Sequence, residues 1–268
     1  RARREAAGSV SHTPCMEPPA AAALSPLDWA GDDCDDGDEG LGFLALEAER
    51  SDETLEVRLD EGLTVVVRGY ARDCGQTLKC TGLTSWRGGE NLARWLYQQR
   101  AELRARTCLE LGAGLGLCSI VVEQCCTAVE MVVATDGDVL SLDALRHNVP
   151  TAVRVRELRW GVASHESALL AEFSGAFDLV VAADVIYDAL AVVPLVETVL
   201  RLLAPAGTFV LSFTRRGVDL QQILDAALRA GLVYSNAPDL EALDIPSTER
   251  LLVFTFAGQR EGAVSAGP

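Results

Sequence analysis

Apolar and polar residues alternate along segment 54–69, and further along the chain the apolar residues take up helical spacing. The two alternating runs on either side of Glu61-Gly62 predict a β-hairpin. Segment 81–100 predicts a turn that leads into an amphipathic helix, with Trp86 where the helix begins. These elements precede the main pattern of the chain.

From residue 107 onward, short apolar runs alternate with amphipathic segments. The predicted strands cover 107–112, 131–136, 153–160, 177–184, 205–214, 232–237 and 249–256. The predicted helices cover 114–126, 138–149, 190–204 and 218–231. This alternation predicts an α/β sheet with right-handed crossovers, and the last two strands predict an antiparallel pair at one edge.

The two ends of the chain differ from this pattern. Residues 1–50 are rich in Pro, Ala and acidic residues, so we expect a disordered acidic leader. Residues 51–258 form the predicted folded domain, and its part 51–106 holds the hairpin and the first helix. Residues 259–268 are predicted to form a disordered tail. No apolar run approaches the roughly 20 residues of a membrane span, and the first residues lack the apolar core of a secretory signal.

Charge and cysteine content narrow the classes of function. The formal net charge is −16, which argues against a general binder of nucleic acid or anionic membranes and favours a basic or neutral protein partner. The 8 cysteines form no C-x-x-C pair and only 3 histidines are present, so neither a disulfide framework nor a metal site is predicted. We expect a cytoplasmic protein, with the nucleus as the alternative.

The run "TCLELGAGLG" places a glycine loop directly after a predicted strand. Gly112 and Gly114 fit a dinucleotide fingerprint, but Leu117 occupies its third glycine position, and no lysine follows Gly116 as a P-loop requires. Glu110 would repel a pyrophosphate but can accept a hydrogen bond from a cationic amino-acid group. The loop therefore favours S-adenosylmethionine as cofactor, the alternative being a tight turn that binds no ligand.

Acidic and aromatic residues follow the next strands. Asp136 is placed to bind ribose hydroxyls, whereas Asp138 is the better candidate for a helix N-cap. Trp160 is placed to pack on an adenine ring or to be an ordinary core aromatic. Asp184 and Tyr187 come directly after the apolar strand 177–184, where they could hold an amine and stabilise a cation; a helix cap is the alternative for Asp184.

These motifs together resemble methyltransferase family 16, the seven-stranded protein-lysine methyltransferases. The stretches that carry the resemblance are "SWRGGENLARWL", "LELGAGLG", "ATDGD", "LRHNV", "LRWG" and "ADVIYD". The resemblance implies a Rossmann-like seven-stranded fold with an N-terminal β-hairpin extension, and Asp184 and Tyr187 as the lysine-methylation motif. The residues that it implies for the cofactor site are Trp86, Gly112, Ala113, Gly114, Asp136, Trp160 and Ala183. Leu115 departs from the family, which often has Thr there.

Several functions stay open at this point. The leading one is N-methylation of a protein lysine by a monomeric enzyme. Methylation of a histidine or arginine side chain, methylation of a small molecule and a non-catalytic S-adenosylmethionine-binding role are alternatives. Nucleic-acid methylation is disfavoured, because Val185 and Ile186 replace the N/D-P-P-Y pattern at this strand end and no basic groove is evident.

Overall fold

A small antiparallel sheet begins the described part of the protein. The computed structural model describes residues 53–60, 63–71, 80–237, 245 and 249–257. Strands β1 (Glu53–Asp60) and β2 (Leu63–Gly69) pair antiparallel, which confirms the predicted hairpin strands. The predicted turn at Glu61-Gly62, the leader 1–50 and the tail 259–268 lie outside the described residues.

The main sheet has seven strands among the described residues. They are β3 (Thr107–Leu111), β4 (Met131–Asp136), β5 (Arg154–Glu157), β6 (Phe177–Ala183), β7 (Leu203–Thr214), β8 (Leu232–Asn236) and β9 (Glu249–Phe256). Their order is β5-β4-β3-β6-β7-β9-β8. Strands β3 to β7 pair in parallel, and β9 is antiparallel to β7 and to β8. The strand order therefore reverses between β3 and β6, which is where ligands bind in such sheets.

Helices cover both faces of this sheet. They are α1 (Arg87–Gln98), α2 (Leu117–Cys125), α3 (Val139–Asn148), α4 (Ala163–Glu172), α5 (Val192–Leu202) and α6 (Leu220–Arg229). One apolar core joins α1, α2, α3 and the hairpin to the sheet, and the other joins it to α4, α5 and α6. Cys108 belongs to the first core and its neighbour Leu109 to the second, as expected for a strand buried on both faces. No helix in the described residues is long and apolar enough to cross a bilayer.

The sequence-based prediction found all the elements of the main sheet except one helix, and some of its boundaries were wrong, as at α2, which begins at Leu117 rather than at residue 114. Helix α4 was missed, because only Glu166 and Leu169 are buried in it and its apolar spacing is weak. Strand β5 ends at Glu157 rather than at Trp160, because its partner strand β4 ends at Asp136, the residue opposite Glu157.

Candidate active site

The loop between β3 and α2 is built on glycines with left-handed backbone conformations. Gly112, Gly114 and Gly116 have φ angles of 65°, 51° and 83°, a region that residues with a Cβ rarely adopt. A Cβ on Gly114 would also lie 2.9 Å from the carbonyl oxygen of Gly82. The turn and its protein contacts therefore require glycine there, so the spacing of the glycines is not by itself evidence of a ligand.

Glu110 lies in β3 with its carboxylate buried against α2. Both the backbone N–H and the hydroxyl of Ser119 donate to Oε2 of Glu110, the first at 2.8 Å. Burial raises the pKa of Glu110 to about 7, although the hydrogen bonds from Ser119 lower it. The structure thus gives Glu110 partners in the first turns of α2, and its contact with a cationic cofactor group stays a prediction.

Asp136 ends β4 beside the glycine loop. The Gly114 N–H donates to its Oδ2 and the Asp138 N–H to its Oδ1, each at 3.0 Å. Ala113 is fixed to the same strand by a 2.8 Å bond from its N–H to the carbonyl of Thr135. Burial raises the pKa of Asp136 above its ordinary value. Asp138, as predicted, caps α3 with its side chain, which leaves Asp136 free of that role.

Trp160 lies in a turn three residues beyond the end of β5, not at the strand end itself. A Cβ placed on Gly112 would lie 3.5 Å from Cζ2 of Trp160, so the indole reaches the glycine loop. The turn is held from the other side, because the N–H of Gly161 donates to the hydroxyl of Thr198 in α5 at 3.0 Å. Trp160 is half-buried, so an exposed part of it remains available to a ligand.

Asp184 follows Ala183, the last residue of β6, and its carboxylate is already hydrogen-bonded. Its φ of 54° is unusual for a residue with a side chain. The N–H of Gly88 donates to Oδ2 at 2.9 Å, and the N–H of Thr214 donates to Oδ1 at 3.1 Å. Arg216 adds an ion pair at 3.1 Å. This carboxylate therefore joins α1 and the end of β7 to the end of β6.

Arg216 also contacts Trp86. Its guanidinium carbon lies 4.5 Å from the centroid of the Trp86 ring, within the range of a cation–π contact. The indole N–H of Trp86 donates to the carbonyl of Thr81 at 2.8 Å. Sequence reasoning did not select Arg216; its one signal was the position just after β7, at the carboxyl edge where the other candidates lie.

A second carboxylate, Glu249, lies close to this group and was also missed. It is buried at the beginning of β9, where it accepts a hydrogen bond from Asn91 and lies 3.9 Å from Arg87. Burial raises its pKa, while the positive charge of Arg87 lowers it and the negative charge of Asp184 raises it further. No sequence signal placed Glu249 here, because β9 reaches this edge only through its antiparallel pairing with β7.

Tyr187 lies at the surface, while Val185 contacts the glycine loop. Its side chain is 60% exposed, which suits contact with a separate molecule. A Cβ placed on Gly112 would lie 2.6 Å from Cγ1 of Val185. The structure therefore brings the Asp184–Tyr187 loop, the glycine loop and Trp160 together.

These residues fit S-adenosylmethionine as a group. The glycine loop "GAGLG" contains no lysine or arginine for a phosphate. Asp136 is half-buried and its oxygens accept hydrogen bonds from backbone N–H groups, and a carboxylate has lone pairs left to accept ribose hydroxyls. Half-buried indoles, Trp86 and Trp160, offer apolar surface for an adenine ring.

Comparison with solved structures identifies the fold. The T. thermophilus 16S rRNA N2 G1207 methyltransferase RsmC, in complex with AdoMet and guanosine, superimposes with a TM-score of 0.52 over 76% of this chain and 50% of its own. Its sequence identity is 16%, so the likeness concerns the fold alone. The fold is that of S-adenosylmethionine-dependent methyltransferases.

Sequence comparison then gives the family. Residues 74–228, more than half of the 268, match methyltransferase family 16, described as lysine methyltransferase. The chain belongs to this family.

Two curated relatives are protein-lysine methyltransferases. The human protein-lysine N-methyltransferase EEF2KMT is 31% identical over 193 residues, which are 64% of this chain and 57% of that protein. The Arabidopsis thaliana calmodulin-lysine N-methyltransferase is 29% identical over 165 residues, or 58% of this chain and 52% of that protein. The chain thus spans a little over half the length of each of these relatives.

Proposed function

We propose that this protein is an S-adenosylmethionine-dependent methyltransferase that N-methylates a lysine side chain of another protein. The observation that carries the proposal is the contact between the two loops at the switch point. Val185, inside the Asp184–Tyr187 motif, lies against Gly112 of the glycine loop. A cofactor seated on the glycine loop would therefore present its reactive end beside the motif that the family resemblance associates with lysine.

The reaction joins the Nζ atom of the lysine to a methyl carbon. S-adenosylmethionine, when bound, would supply a methyl group on a cationic sulfur. The neutral amine attacks the methyl carbon in line, and the carbon–sulfur bond breaks so that the sulfur leaves as a neutral thioether. The protein contributes alignment of the amine, exclusion of water and placement of charge. The exposed ring of Tyr187 offers a π face to the charged, methylated amine as it forms.

The contacts of Asp184 change the role that the sequence suggested for it. Its side chain is 1% exposed and accepts hydrogen bonds from α1 and from the end of β7, so we assign it first to holding these elements together. Replacing it with alanine would disturb α1 as well as any contact with the amine. Tyr187 is the sharper probe of transfer, since its exposed side chain contributes little to folding.

The substrate that we propose is a protein with a basic or neutral surface around the target lysine. The net charge of −16 supports this, because complementary charge speeds encounter. That the enzyme acts as a monomer and in the cytoplasm remains part of the proposal; size-exclusion chromatography and cell fractionation would check it.

A transfer assay tests the reaction and the substrate class together. The purified protein is incubated with methyl-labelled S-adenosylmethionine and cell extract, and the products are treated with protease or nuclease. We expect protease-sensitive label that is recovered as methyl-lysine after hydrolysis. Label that nuclease removes, or label recovered as methyl-histidine or methyl-arginine, would contradict the proposal.

Matched tyrosine variants connect that result to the site. Tyr187→Leu removes the π face, so we expect transfer to fall about tenfold with an unchanged melting temperature. Tyr234→Leu is the control, because Tyr234 is also exposed, at 46%, but lies in the edge strand β8. Equal transfer by the two variants would remove Tyr187 from the site.

A further inference from the structure

We propose that Arg216 is a positioning residue for the cofactor. Arg216 links segment 81–88 to the loop after β6 and so fixes one wall of the cofactor site. The inference rests on the proposed function, since it takes S-adenosylmethionine as the ligand. Arg216 is not among the site residues that the sequence motifs or the family resemblance imply.

Arg216 makes its two contacts in different ways. One guanidinium nitrogen, Nη2, lies 3.1 Å from Oδ2 of Asp184, while the guanidinium carbon lies 4.5 Å from the centroid of the Trp86 ring. A planar guanidinium can donate at its edge and stack through its face at the same time, which an ammonium cannot. This geometry explains why an arginine, rather than a lysine, suits the position.

Of the three groups that donate hydrogen bonds to Asp184, only Arg216 donates from a side chain. The other two donors are the backbone N–H groups of Gly88 and Thr214, which are fixed by α1 and by β7. The Arg216 side chain is 35% exposed, against 1% for Asp184, so it lies between that carboxylate and solvent. Without Arg216, Asp184 would keep its backbone donors, but Trp86 would lose its cover.

Segment 81–88 packs directly on the glycine loop. A Cβ on Gly82 would lie 3.4 Å from Cα of Gly114, and a Cβ on Gly114 would lie 2.9 Å from the Gly82 carbonyl oxygen. Trp86 is tied to this contact, because its indole N–H donates to the carbonyl of Thr81, next to Gly82. Displacement of Trp86 would therefore be transmitted to Gly114, one of the residues expected to bind the cofactor.

Calorimetry of S-adenosylmethionine binding to the full chain tests the inference. We expect Arg216→Met to weaken binding between about 3- and 30-fold, the range of a partly desolvated cation–π contact, and Arg216→Lys to give a smaller loss. Arg215→Met is the matched control, because the preceding arginine is also exposed, and we expect its affinity to stay within twofold of wild type. Arg216→Lys keeps a positive charge near Asp184, so it preserves folding if the methionine variant does not fold.

A second readout separates positioning from general stability. If Arg216 acts through Trp86, Arg216→Met should have less than a twofold effect on affinity in a Trp86→Leu background. If wild type binds and both Arg216 variants bind with unchanged affinity, the inference is overturned and the proposed function stays intact. The same holds if Arg216→Met weakens binding equally in the wild-type and Trp86→Leu backgrounds. Failure of the wild-type protein to bind at millimolar S-adenosylmethionine would overturn the proposed function and the inference with it.

Discussion

At the scale of single residues, the buried carboxylate of Glu110 makes the stability of the protein depend on pH. Burial raises its pKa from an ordinary value of 4.5 to about 7, so the folded protein holds this proton more tightly than the unfolded chain. Between these two pH values the folded state binds more protons, and the free energy of unfolding falls as pH rises. The loss is complete above about pH 7 and amounts to about 3 kcal/mol.

Replacing Glu110 with glutamine should remove this dependence, because glutamine resembles the protonated carboxyl group. Between about pH 4.5 and 7, we expect the free energy of unfolding of Glu110→Gln to fall by about 3 kcal/mol less than that of wild type. Urea denaturation at a series of pH values measures this difference. Glu197→Gln is the control, since Glu197 is exposed on α5 and should leave the wild-type slope unchanged. A wild-type slope in Glu110→Gln would contradict the assigned burial effect.

At the scale of elements, the first turn of α1 contacts the site through Gly88, while the neighbouring Gly89 faces open space. A Cβ on Gly88 would lie 2.6 Å from Cγ of Asp184, whereas a Cβ on Gly89 would meet nothing within 4 Å. The helix can therefore approach the Asp184 carboxylate only where residue 88 lacks a side chain. Gly89 has no such constraint.

The same substitution at these adjacent positions should have opposite effects. Gly88→Ala should destabilise the fold by about 1–3 kcal/mol through overpacking against Asp184. Gly89→Ala should stabilise it by up to about 1 kcal/mol, because alanine favours the helix. Urea denaturation of both variants checks this, and equal stability would mean that α1 does not approach Asp184 as closely as the structure shows.

The hydrophobic pattern of the sequence predicted strands and helices wherever apolar residues alternate, run continuously or recur at helical spacing. The continuous apolar run 177–184 and the alternation in 54–69 correspond to β6 and to the hairpin strands. Helix α4 escaped prediction because its burial depends on Glu166, a polar residue whose carboxylate accepts a hydrogen bond from Thr198 at 2.7 Å. Such a contact joins residues far apart in sequence, so no local pattern reports it.

At the scale of the whole molecule, the order of the parallel strands explains why the site could be anticipated. Strands that point the same way end at one edge, so residues after β3, β4 and β6 had to come together. The hydrogen-bond donors to Asp184 could not be predicted from the sequence, because they come from α1 and from the end of β7, far from Asp184 along the chain. Glu249 arrives there from β9, which runs in the opposite direction.

The activity that we propose for the molecule as a whole is the transfer of methyl groups to protein lysines. Mass spectrometry of methyl-lysines tests it most directly, in cells that lack the protein and in the same cells supplied with wild type or Tyr187→Leu. We expect at least one lysine site whose methylation disappears without the protein, returns with wild type and stays low with the variant. An unchanged set of methylated lysines across all three would contradict it.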